Sequence, residues 1–229
     1  GSPGPHITRF TERLVEATRA LVVAPPTSPS CDLGPVIDDA AAKNIRRMIQ
    51  LGIESGGELL LGDQGTGHKA QGTGAEEDST QHNLVPSAQS LVPPPDVQPK
   101  NYIPPHILTN ITPANPIAQD EIFGPVLAVM HAKDLTEALN IANTHTYKLT
   151  GGLFSRKPAH IERTKREFRV GNLYINRSCT GALVGRQPFG GFGLSGVGSK
   201  AGGSDYLLQF VEPRAICENT MRRGFAPEL

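Results

Sequence analysis

Three cysteines, seven histidines and one glycine-rich run are the residues of this 229-residue chain with the plainest claim to chemistry. Cys179 stands between Ser178 and Thr180, two positions after Arg177, a cation that would favour the thiolate. A cysteine nucleophile also needs a general base and donors for an oxyanion, and no histidine lies near Cys179 in sequence. Cys31 and Cys217 read as a loop residue and a strand residue. The three cysteines are odd in number and widely spaced, which is not a disulfide framework. No CxxC, HxxxH or HExxH spacing occurs, so no metal site is expected. Gly191-Phe192-Gly193-Leu194-Ser195-Gly196 matches GxGxxG, and Glu212 follows about 20 residues on. A dinucleotide-binding turn also needs a buried strand before it and a helix after it, so that the helix N-terminus faces the pyrophosphate. Gln187–Gly190 and Val197–Gly203 are not regular, so the run reads as an ordered loop and not as a Rossmann site.

The elements that must position such residues come from periodicity. Ile7, Phe10, Leu14, Ala17 and Leu21 form one helical stripe over residues 7–21, stopped by Pro25 and Pro26. A second helix is predicted after Asp38, with a stripe of Ala41, Ile45, Met48, Ile49 and Gly52, ended by Gly56 and Gly57. Leu59–Leu61 reads as a short strand. Residues 62–100 hold Gly, Gln, Ser and Pro with few large apolar side chains, too little burial to offset ordering entropy, and read as a mobile insertion. From Ile103 onward strand and helix signals alternate. Val126–Met130 is predicted as a buried strand. Asp134 to Glu137 has the form of a capping box opening a helix through about Asn143. Gly151–Phe154 reads as a strand, Pro158 opens a helix carrying Ile161, Thr164, Lys165 and Phe168, and Asn172–Asn176 reads as a strand. This alternation predicts an α/β domain with a largely parallel sheet over residues 1–205. Residues 206–217, within a terminal segment 206–229, read as an extended arm that pairs outside its own sheet.

Bulk properties exclude several classes. Lys+Arg and Asp+Glu balance at 22 each, leaving no electrostatic footprint for nucleic acid or an anionic membrane. No apolar run approaches the roughly 20 residues that span a bilayer, and the first residues show no secretory pattern. The cysteine usage predicts a reducing, cytoplasmic setting.

Three blocks resemble the aldehyde dehydrogenase superfamily. Asp120-Glu121-Ile122-Phe123-Gly124-Pro125-Val126 is similar to its E-I-F-G-P-V signature, and Gln187–Gly196 to its P-F-G-G-x-x-x-S-G loop. Gly171–Arg177 resembles the strand leading into the substrate pocket. Thr180–Phe189 followed by Lys200-Ala201-Gly202-Gly203 resembles the 1-pyrroline-5-carboxylate dehydrogenase branch and the matching domain of bifunctional proline-utilisation proteins. Ser199 and Ser204 depart from that branch, which usually has prolines there. The resemblance implies oxidation of glutamate semialdehyde to glutamate with NAD through a cysteine thioester. It implies that Glu121 accepts hydrogen bonds from the nicotinamide ribose and that Phe123 packs beside the nicotinamide. It also implies that backbone N–H groups of Gly181 and Ala182 hold the substrate α-carboxylate, and that Phe189 walls the aldehyde stem. The family's G-Q-x-C nucleophile loop and E-x-G-G general-base stretch do not occur in this sequence, nor does an NAD-binding half. No catalytic residue is therefore assigned, and the chain alone is expected to be inactive. The alternative is a non-catalytic aldehyde-dehydrogenase-like assembly module. In either case the resemblance implies a homo-oligomer formed through residues 206–217, with the missing NAD-binding half as a further partner.

Overall fold

A computed structural model describes residues 5–63, 99–181, 183 and 185–219. Most of the 62–100 insertion lies outside the described residues, as does Ala182. The chain divides into two compact units, Gly1–Ile141 and Ala142–Leu229.

The first unit is organised around one amphipathic helix. Helix α1 (Pro5–Arg19) precedes it, and helix α2 (Asp39–Glu54) carries the core. Asp38 adopts extended backbone, and its Oδ1 accepts the Ala41 N–H at 2.7 Å, filling one of the donors that a helix start leaves open. The buried face of α2 is Ala42, Ile45, Met48, Ile49 and Gly52, so Ala42 takes the place expected of Ala41. Strands β1 (Glu58–Leu61), β2 (His106–Thr109) and β3 (Val126–Ala128) follow, with a 3₁₀ turn at Pro99–Asn101 and a one-turn helix α3 (Pro116–Gln119) between them. β1 pairs antiparallel with β2, and β2 pairs parallel with β3. Ile45 and Leu108 are fully buried at the centre, and Ile49, Ile103, Ile107, Ile111 and Ile117 complete the core. Asn115 is buried and fully engaged. Its Oδ1 caps α3 through the Ile117 N–H, and its Nδ2 donates to the Gly52 carbonyl of α2.

The strand expected over 126–130 is shorter than predicted and is not buried. Among the described residues β3 lies at the sheet edge, and Leu127 is 45% exposed there. An edge strand has one neighbour, so an apolar run need not be covered on both sides. Helix α4 (Leu135–Thr144) spans the unit boundary in sequence. Asp134 caps it as expected by accepting the Glu137 N–H, and only the return bond is displaced, Glu137 accepting the Lys133 N–H instead of that of Asp134.

In the second unit, β5 (Thr150–Leu153), α5 (Pro158–Glu167) and β6 (Asn172–Ile175) form a βαβ crossover with a parallel pair, Thr150↔Asn172 to Leu153↔Ile175. β4 (Tyr147–Lys148) pairs antiparallel with β7 (Phe192–Gly193). Among the described residues the pairing is thus mixed, with two parallel and two antiparallel pairs in three small sheets. The start of the expected extended arm is coiled instead. Tyr206–Phe210 is a 3₁₀ turn, bonded through Tyr206 N–H to Gly203 O and Leu208 N–H to Asp205 O. The Tyr206 and Phe210 rings meet edge to face at 5.4 Å. Residues 211–219, the rest of the described arm, belong to no described strand. No helix among the described residues is long and apolar enough to cross a membrane.

Candidate functional site

The loop between α3 and β3 is fixed from both sides. Ile122 packs on the core clusters, and Gly124 presses on Ile45, where an added Cβ would lie 2.7 Å from Ile45 Cδ1. Between them Phe123 takes φ +54° and stands 78% exposed. A left-handed backbone costs a residue with a Cβ roughly 1–2 kcal/mol, and a water-exposed aromatic face adds an unused apolar surface. Glu121, two residues earlier, is also exposed. One short loop therefore offers a carboxylate acceptor and a bare aromatic ring, which suit a sugar diol and a planar heterocycle.

In the second unit the loop after β6 is tied to its strand by side chains. Tyr174 is 4% exposed, and its hydroxyl donates to Thr180 O at 2.5 Å while accepting from Gln187 Nε2 at 2.7 Å. Asn172 donates to Pro188 O and accepts the Gly190 N–H. Gly171 lies against the backbone of Gly190 and Gly191 so closely that any Cβ would collide with the Gly190 carbonyl. The loop closes on itself through Leu183 N–H to Gln187 O and Gln187 N–H to Leu183 O. Gly181 is exposed, with open space where a side chain would be. Phe189 is half-buried and exchanges both backbone hydrogen bonds with Ala201 at 3.0 Å. Glu121 and Phe123 thus share one loop of the first unit, and Gly181 and Phe189 share one loop of the second. In sequence Tyr174 and Asn172 stand only as strand residues, because nothing local shows that a loop returns to their polar tips.

The other motifs resolve simply. The Gly191–Gly196 run makes β7 and a tight return, with Ser195 N–H on Phe192 O and Gly191 N–H on Ser195 O, and among the described residues no α-helix opens after it. Cys179 is exposed, and no histidine or carboxylate bonds to it among the described residues. No cluster of metal-binding side chains occurs among them.

Residues 5–80 and 75–216 match the aldehyde dehydrogenase family. The chain is 40% identical over 206 residues to a 1-pyrroline-5-carboxylate dehydrogenase of Geobacillus sp. (strain WCH70), covering 90% of this chain and 34% of that protein. It is 38% identical over 207 residues to the 1-pyrroline-5-carboxylate dehydrogenase of Bacillus subtilis (strain 168), with the same coverage of 90% and 34%. Among solved structures, proline utilization A from Bdellovibrio bacteriovorus, inactivated by N-propargylglycine, superposes with a TM-score of 0.73 at 42% identity over 96% of this chain and 20% of that one. The 1-pyrroline-5-carboxylate dehydrogenase from Thermus with bound NAD gives 0.69 at 40% identity, over 88% of this chain and 33% of that one. The chain spans about a third of the length of the curated relatives it matches.

Proposed function

The chain belongs to the aldehyde dehydrogenase family, and from that premise we propose that it is the C-terminal part of an NAD-dependent 1-pyrroline-5-carboxylate dehydrogenase of proline catabolism, acting in the cytoplasm. The observation that carries this reading is the 40% identity to 1-pyrroline-5-carboxylate dehydrogenases over 90% of the chain. The two loops supply matching roles. Glu121 accepts hydrogen bonds from the ribose hydroxyls next to the nicotinamide. Phe123, already turned out at a cost in backbone strain, packs beside that ring and limits its tilt. Bound NAD supplies the two-electron oxidant. The N–H groups of Gly181 and Ala182 hold the α-carboxylate of glutamate semialdehyde, since a loop of small residues lets backbone donors approach an anion. Phe189 walls the aliphatic stem.

None of these residues is a nucleophile or a general base. Both, with most of the NAD-binding surface, are assigned to a part of the protein outside this chain, so this chain alone does not turn over. The test is NADH formation from NAD and glutamate semialdehyde by the purified chain, with a Cys179→Ala control. No NADH is expected from the chain alone. Adding an upstream half should restore activity that Glu121→Gln then weakens. A signal from the chain alone that Cys179→Ala abolishes would overturn the proposal and make Cys179 the nucleophile. Failure of every upstream half to restore activity would favour an assembly module.

A further inference from the structure

We propose that Tyr174 is the positioning residue of the carboxylate-holding loop, its hydroxyl setting the direction in which the Gly181 N–H points. The inference rests on the reading of Gly181 as a carboxylate donor, but its geometry stands by itself. A tyrosine hydroxyl buried in a strand must find partners. Tyr174 finds both at the two ends of one loop: the Thr180 carbonyl at 2.5 Å and the Gln187 amide at 2.7 Å. A single hydroxyl therefore joins Thr180 to Gln187 like a clasp. Arg177 reinforces it, with its guanidinium 5.5 Å from the Tyr174 ring centroid and a hydrogen bond to Thr180 Oγ1 at 3.2 Å.

The consequence follows from peptide geometry. The Thr180–Gly181 peptide is trans, so its C=O and N–H point to opposite sides. With the carbonyl drawn inward to the Tyr174 hydroxyl, the Gly181 N–H must point outward. A Cβ at Gly181 would meet open space, and its N–H has no hydrogen-bond partner among the described residues, which leaves that donor for an anion. Without the hydroxyl this peptide can flip. Glycine permits the flip at no steric cost, and the donor would then turn away from the carboxylate.

The experiment is NMR on the isotope-labelled 229-residue chain, comparing wild type with Tyr174→Phe, which keeps the ring and removes only the oxygen. In wild type the Gly181 amide should show the order of a rigid backbone, about 0.85. In Tyr174→Phe it should fall below about 0.6, and the Thr180 carbonyl carbon should move upfield as its hydrogen bond is lost. Amide shifts of β5 and β6 should stay in place, which separates repositioning of the loop from loss of the fold. A folded Tyr174→Phe chain with unchanged Gly181 order and Thr180 shift would overturn the proposal. Should that variant fail to fold, Gln187→Met, which removes the second arm at the half-buried loop end, decides instead. Partial loss of Gly181 order supports the clasp, and wild-type order overturns it. A glutamate titration separates the two claims. If Gly181 shifts with glutamate in wild type, Tyr174→Phe should weaken that binding at least tenfold. If glutamate moves nothing in wild type while the order change occurs, Tyr174 still orients the loop and the carboxylate reading fails.

Discussion

Phe123 and Gly171 show how single residues are held in forms that sequence preference alone would not choose. Phe123 is a bulky side chain at positive φ with its ring in water, so it gives up both backbone comfort and burial. Asparagine tolerates that backbone better. Phe123→Asn is therefore expected to raise the stability of the chain by about 0.5–1 kcal/mol in urea denaturation, while weakening NAD binding in an assembly that contains the upstream half. A loss of stability would mean that the ring packs on something in solution. Gly171 is the opposite case. A methyl group there meets the Gly190 backbone, which cannot rotate away as a side chain could, so Gly171→Ala should cost roughly 1–3 kcal/mol and lower the thermal midpoint. Gly152 is the control. A Cβ there meets Cys179 Sγ at an ordinary 3.4 Å, so Gly152→Ala should change the midpoint little. Glu121, Phe123, Gly181 and Phe189 could be placed in sequence only by motif. The strain at Phe123 and the clasp at Tyr174 were not legible, since both depend on what the distant core and the returning loop press against them.

At the scale of elements, helix α2 is the member whose start can be tested most cleanly. Asp38 caps it, so Asp38→Ala should cost about 1 kcal/mol in urea denaturation. Asp39, the next residue, pairs with Lys100 at 2.5 Å. The hydrogen bond from Lys100 comes first among the causes that hold its carboxyl below the usual aspartate range, with the charges of Lys100 and Lys43 adding to it. A lowered folded pKa contributes stability that is complete above the unfolded value and is lost as pH falls through the folded one. Lys100→Met should thus be less stable than wild type near neutral pH, and the difference should close as pH falls below about 3.9. The pair is exposed, so the effect should be small and should shrink in salt. Elements with chemical punctuation were legible: α2 from Asp38, α4 from Asp134 and Glu137, and α5 from Pro158. Elements defined by an apolar run alone were legible only in part: Leu59–Leu61 does form β1, but two others differ in extent or form. Val126–Met130 became a short edge strand because composition does not show which strand lies outermost, and Tyr206–Phe210 coiled because two rings four residues apart meet only when the chain turns.

For the whole molecule, the distribution of apolar surface argues for a partner. The first unit buries a connected set of Ile, Leu and Met side chains, whereas among described residues of the second only Tyr174 and Thr164 appear among the buried apolar and polar side chains. The second unit instead exposes Leu207, Leu208, Phe210, Val211 and Ile216 within one stretch of the proposed arm. Burying each such side chain would be worth about 1.5–3 kcal/mol, so a partner that covers this stretch would gain from it. The chain carries no net charge to keep copies apart. A second copy presents the same patch, and closed symmetric pairing lets each cover the other. Truncation after Tyr206 should therefore lower the molar mass measured by light scattering. Phe210→Glu, which leaves chain length intact and places a charge in the patch, should do the same at matched concentration. If both variants keep the wild-type mass, the arm does not hold the assembly together. A wild-type chain that is already monomeric would overturn this pairing between copies.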